Sequence, residues 1–342
     1  MVISYALSTL LYQETKMTGP AFRVDVHHHI LPKEYLDALS GIGVVAGLGM
    51  NFPEWKIDKT LDFMDNCGIA TAMVSISDPG IYFGDISFTR DLSRRMNELI
   101  AELIQKYPGR FGSFASLPLP DVDAAISELN YAMDILKLDG VGLLSNIDST
   151  YLGDAKFDRL FQELNTRKSI IYIHPSTIPG WNTARLALPP FLVDAPHDTT
   201  RAVTNLLYSG TFERYPDITY ILAHAGGTVP YLVSRILLGE QYRDFSDFVK
   251  QIAPKGMINY LKNLYYDTAL SASPHCLRSL QELADNSHIL FGSDYCFAPD
   301  YIAASGIKGL KEYFGSSSDT LKAIELDNAM KLFPRLSKNA FS

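Results

Sequence analysis

Eight short apolar runs alternate along the chain with longer amphipathic segments, and this alternation constrains the fold more than any other feature. The runs are FRVDVHHH (22–29), IATAMVSIS (69–77), RFGSFASLPL (110–119), GVGLLSNI (140–147), SIIYIHP (169–175), ITYILAHAG (218–226), LYYDTALS (264–271) and ILFGSDYC (289–296). Strands of this kind need apolar cover on both faces, as in a parallel sheet flanked by helices. The segments KTLDFMDNCG, FTRDLSRRMNELIAELIQKY, DVDAAISELNYAMDILK and AKFDRLFQELNTRK return an apolar residue every three or four positions, which is the helical period. Eight βα units predict a closed (β/α)8 TIM barrel over 22–342 as one domain. An open doubly wound sheet is the competing architecture, but its first strand usually leads into a Gly-rich phosphate turn, and here that strand ends in histidines. Stretches rich in Gly and Pro at 40–56 and 175–196 follow the first and fifth strands. They are read as insertions at the C-terminal rim, where they would wall a substrate pocket.

Composition narrows the partners. With 47% hydrophobic and 20% charged residues, the 342-residue chain has material for a large core, and its formal charge of −8 gives no basic footprint for nucleic acid or an anionic membrane. A small molecule is the expected partner. Cys67, Cys276 and Cys296 form no CxxC pair and are too scattered for a disulfide framework, which fits a reducing, cytosolic setting. Residues 1–21 begin with an apolar stretch that lacks a basic start and is too short to span a bilayer; they are read as an N-terminal extension.

The chemistry sits at the strand ends. Residues two apart on a strand share a face, so His27 and His29 converge while His28 points away. His174 ends the fifth run, and Pro175 closes that strand. His224 ends ITYILA before Gly226 and Gly227, and Asp294 ends ILFGS. One strand-end histidine is more often structural than functional, but the pattern recurs on strands one, five, six and eight, at the mouth where barrels place catalytic groups. Catalytic zinc sites use three or four N and O ligands and keep a position open, and His27, His29, His174 and Asp294 meet that requirement. The fourth run offers no lysine or carboxylate to bridge two ions, so one divalent metal per chain is expected, zinc first and manganese second. Cys296 reads as a small buried thiol.

The motifs DVHHHILP, YIHP, AHAGG with YLVSRI beyond it, and FGSDY resemble those of the amidohydrolase-related metal-dependent decarboxylases. That family includes aminocarboxymuconate semialdehyde decarboxylase and the salicylate-type decarboxylases. The resemblance runs from Val24 to Phe297 and implies that His27, His29, His174 and Asp294 ligate the metal, with His224 and Asp294 catalytic. It also implies a homodimer in which Arg235 reaches a substrate carboxylate across the interface. One departure is that the loop GIGVVAGLGMNFPEWKID lacks the second substrate arginine of the semialdehyde enzyme. A dicarboxylate would leave one anionic group without a bidentate partner, so a monocarboxylate on an apolar body is expected. Phe52, Trp55, Trp181 and Phe191 are candidate walls for its ring.

Within the family, LSNIDSTYLGDAKFD and YYDTALSASPH most resemble 6-methylsalicylate decarboxylases of fungal polyketide secondary metabolism. The reaction so implied is loss of CO2 from an ortho-hydroxy aromatic acid, 6-methylsalicylate giving 3-methylphenol. Two alternatives stay open on the residues alone. The same metal could activate water in a hydrolase, lactonase or hydratase, or the barrel could bind metal without turnover.

Overall fold

The computed structural model describes residues 21–180 and 187–339. The eight apolar runs form eight strands: β1 (Arg23–His29), β2 (Ile69–Ser75), β3 (Phe111–Ser116), β4 (Gly140–Leu144), β5 (Ile170–His174), β6 (Thr219–Leu222), β7 (Tyr265–Asp267) and β8 (Ile289–Leu290). They form one sheet in chain order, every neighbouring pair parallel. The chain after β8 returns to β1: Val26 N donates to Phe291 O at 2.9 Å and Asp294 N to His27 O at 2.8 Å. That return makes the sheet a (β/α)8 barrel and excludes the open sheet.

A helix follows each strand on the outside: α1 (Ile57–Cys67), α2 (Ile86–Lys106), α3 (Val122–Asn130), α4 (Asp158–Thr166), α5 (Asp194–Tyr208), α6 (Val229–Ile236), α7 (Pro274–Leu283) and α8 (Asp300–Phe314). In α2 the buried Leu92, Met96, Ile100 and Leu103 recur at helical spacing, and Asp85 caps the start by accepting from Phe88 N at 3.0 Å. Helix α1 stops at Gly68, whose φ of 66° is the left-handed conformation that glycine adopts without strain. Between the helices that border them, the rim insertions carry small regular pieces among the described residues, a hairpin of Ala46–Gly47 with Met50–Asn51 and a turn of helix at Pro190–Leu192.

The lower barrel interior is apolar. Val24, Val26, Met73, Phe114, Tyr172 and Ile221 meet there, and Phe333 and Leu336 near the C-terminus cover them from below. Val24 and Val26 would share a face with His28 on a regular strand. Instead, four residues of β1 from Asp25 to His28 oppose three of β2 from Ala72 to Val74, a bulge that turns His27 and His29 inward above the valines. The last three strands end earlier than their apolar runs. At His224, Ala225 and Asp294 the backbone takes φ of 54°, 56° and 61°, which leaves the ladder and aims side chains over the barrel axis.

Candidate active site and metal centre

His27, His29, His174, His224 and Asp294 meet over the top of the barrel. One ligand atom each from His27, His174, His224 and Asp294 lies within 4.8 Å of the others. His29 joins them, its Nε2 lying 3.0 Å from His27 Nε2 and 3.3 Å from Asp294 Oδ1. Asp294 divides its oxygens: Oδ1 is 3.1 Å from His27 Nε2, whereas Oδ2 is 3.4 Å from His224 Nε2. The structure thus brings together every metal-type residue expected from the strand ends.

The rings are held from behind. His27 Nδ1 is 2.8 Å from Asp267 Oδ2, His29 Nδ1 is 3.0 Å from Ser75 Oγ, and His174 Nδ1 is 2.8 Å from the carbonyl of Pro175. In each case the Nε2 atom is left for the centre, the arrangement that orients metal-binding imidazoles. His28 faces outward as expected, 2.9 Å from Asp25 and beside the Tyr295 ring. Asp25 also accepts from Ser293 N at 3.0 Å, which ties β1 to the segment carrying Asp294.

Electrostatics match a cation site. Burial opposes charge on His27, but the carboxylates of Asp267 and Asp294 outweigh it and raise the imidazole to about 10. Burial lowers His29 to about 4 and takes His174 well below the ordinary histidine value, so both are neutral donors. Burial would raise Asp294, yet the His27 charge and its hydrogen bonds hold it well below the carboxylate range. The Asp294 carboxylate among the imidazole Nε2 atoms of His27, His29 and His174 forms a donor set that fits a divalent ion.

Comparison with known proteins agrees with this geometry. The amidohydrolase family model matches residues 24–335. The chain belongs to the amidohydrolase family. It is 34% identical to decarboxylase yanB of Aspergillus niger, covering 93% of this chain and 89% of that one. It is 33% identical to the 6-methylsalicylic acid decarboxylase of Penicillium expansum, covering 92% and 97%. In fold it matches the 5-carboxyvanillate decarboxylase of Novosphingobium aromaticivorans, solved with manganese and 4-hydroxy-3-methoxy-5-nitrobenzoic acid. The TM-score is 0.77 at 22% identity, over 94% of this chain and 98% of that one.

Beside the amidohydrolase centre lies a cavity of about 520 Å3 at the ends of β2 to β5, and His174 and Tyr172 form part of its wall. Leu117, Leu144 and Phe83 give it apolar sides, and Ser75 and Asn146 give it polar ones. Asp78 ties both rim insertions to this cavity: it accepts from Leu48 N at 2.8 Å, Ser176 Oγ at 3.0 Å and Thr177 N at 3.1 Å. Burial pushes its carboxyl upward, against those hydrogen bonds.

Three of the four aromatic residues expected around the substrate lie elsewhere. Phe52 and Trp55 are partly buried against the outer core cluster, Phe191 is half-buried in the turn Pro190–Leu192, and none of the three is among the residues of this cavity wall. Trp181 lies outside the described residues. Arg235 is exposed in the last turn of α6 and makes no ion pair among the described residues. Sequence reasoning overlooked Asp267, Ser75 and Tyr172. Asp267 ends its strand, but the apolar run was read on to Ser271, which hid that strand end.

Proposed function

We propose that this amidohydrolase removes CO2 without oxidation from an ortho-hydroxy aromatic acid, with 6-methylsalicylate to 3-methylphenol as the leading reaction. The observation that carries the reading is the two-sided carboxylate of Asp294, with His27 and His29 on one oxygen and His224 on the other. The name of the Penicillium expansum relative supports the substrate class, and that of the Aspergillus niger relative supports decarboxylation.

His27, His29, His174 and Asp294 would hold one divalent ion, zinc first and manganese second, and the bound ion supplies Lewis acidity that orients an acid bearing adjacent oxygens. The manganese in the related structure supports a divalent ion of either kind. The protein's own part is the proton. His224 supplies it by way of Asp294 Oδ2, 3.4 Å away, and it passes from there to the ring carbon that carries the carboxylate. The bond from that carbon to the carboxylate then breaks, its electron pair returns to the ring, and CO2 leaves as aromaticity is restored. The apolar sides of the cavity, Leu117, Leu144 and Phe83, suit a ring with one small alkyl group.

The assembly in this reading is a homodimer. Arg235 is exposed, and Tyr231, one turn before it on α6, is 82% exposed, so this helix face offers a large ring and a cation to a second copy. The proposed setting is the cytosol, in secondary metabolism, with residues 22–342 acting as one catalytic unit. No helix among the described residues is long and apolar enough to cross a membrane.

The test is a substrate panel. Metal-loaded protein given salicylate, 6-methylsalicylate and their dihydroxy relatives is expected to release CO2 and the matching phenol. Uptake of water into a product without CO2 would favour a hydrolase instead.

A further inference from the structure

We propose that Asp267 is the positioning residue that fixes His27 and His224 relative to one another, so that the metal-facing and proton-delivering halves of the site are set by one carboxylate. The inference rests on the roles proposed above for those two histidines. Asp267 ends β7 and is fully buried. Its Oδ2 is 2.8 Å from His27 Nδ1 and accepts from the Tyr172 hydroxyl at 3.3 Å. Its Oδ1 accepts from the backbone N–H of His224 at 2.9 Å and of Ala269 at 3.0 Å.

An ionised carboxylate offers about four acceptor positions, and these four contacts use them all. Asp267 therefore has no capacity left for an ion or a substrate, which makes it a positioning group and not a ligand. Its two oxygens do different work. By accepting a hydrogen bond from the Nδ1–H of His27, Oδ2 selects the tautomer whose Nε2 lone pair faces His29 and Asp294. By holding the N–H of His224, Oδ1 anchors a residue in the left-handed region, φ 54°, followed by Ala225 at 56°. Non-glycine residues seldom keep that conformation unless neighbouring groups enforce it. The turn so held aims His224 Nε2 at Asp294 Oδ2.

The neighbouring chain leaves room for this pair and nothing more. A Cβ on Gly292 would lie 2.8 Å from His27 Cβ and 3.2 Å from Asp267 Cγ. The glycine of the FGSD motif therefore makes space for the His27–Asp267 contact.

The experiment compares wild type, His27→Ala and Asp267→Asn for zinc affinity, by competition with a chromogenic chelator, and for steady-state kinetics at saturating zinc. An asparagine can still accept from the two backbone N–H groups, but it presents an amide N–H to His27 or, if flipped, to His224. Asp267→Asn is expected to bind zinc about 10- to 100-fold more weakly, the range for removing a group behind a ligating histidine. At saturating zinc it should lose kcat with little change in KM, since Asp267 does not touch substrate. Unchanged zinc affinity together with unchanged kcat would overturn the proposal. If wild type and His27→Ala both fail to bind zinc, the metal reading itself fails.

A second measurement needs no variant that might misfold. In 15N-histidine spectra of the zinc-loaded wild type, His27 should carry its proton on Nδ1, in a hydrogen bond to a carboxylate. A proton on Nε2 of His27 would overturn the assignment.

Discussion

Asp294 is the residue on which the chemistry turns, because it meets two kinds of neighbour at once. His27 and His29 approach Oδ1, and His224 approaches Oδ2 at 3.4 Å. Replacing it with asparagine keeps an oxygen near the imidazoles but removes the carboxylate that can take up and pass on a proton. Asp294→Asn is therefore expected to retain metal while losing about two orders of magnitude or more in kcat, as is usual when general acid catalysis is removed. Metal content by elemental analysis and kcat measured on the same sample check this. Near-normal turnover by a metal-replete variant would move the proton to His224. The strand-end histidines and Asp294 were legible in the sequence because a titratable residue at the end of an apolar run has few structural reasons to be there. Ser75 and Tyr172 were not, since a serine or tyrosine in a strand is ordinary core material until its partner is known. The thiols stand apart: burial raises both Cys67 and Cys296 to about 12, which agrees with the reading of Cys296 as an inert buried group.

At the level of elements, periodicity identified all eight strands, but not where the last three leave the sheet. Apolar character continues through ITYILAHAG, whereas the β6 ladder stops at Leu222 and the chain turns left-handed at His224. The bulge in β1 was equally hidden, because it depends on pairing with β2 and not on any residue type. The turn after His224 fits tightly against α5. A Cβ on Gly227 would lie 2.0 Å from the carbonyl oxygen of Pro196, and its φ of 67° with ψ of −121° is a combination that favours glycine. Gly227→Ala is expected to lower stability by about 1–3 kcal/mol, the range for strain of this kind, and to reduce kcat by displacing His224. Thermal unfolding and kinetics would test it. A variant as stable and as active as wild type would mean that the turn does not need this close approach.

For the whole molecule, eight βα units were enough to foresee a barrel, and the return of the chain after β8 to β1 accounts for its closure. The substrate cavity was the least legible part. Its walls come from ordinary residues on four strands and their loops, and the aromatic residues singled out in the insertions pack elsewhere or lie outside the described residues. Assembly is testable by subunit exchange. Mixing inactive Arg235→Ala chains with inactive Asp294→Asn chains should restore part of the activity if Arg235 serves the partner's pocket. No recovery despite verified exchange would remove Arg235 from that role. The central claim is that Asp294, with His224, protonates the carbon that loses CO2. Turnover of 6-methylsalicylate by the metal-loaded protein in D2O, with the product analysed by mass spectrometry and NMR, tests it most directly. The expected result is CO2 release and one deuterium on the ring carbon that bore the carboxylate. A 3-methylphenol product with hydrogen at that carbon, or a product that keeps its carboxylate, would contradict it.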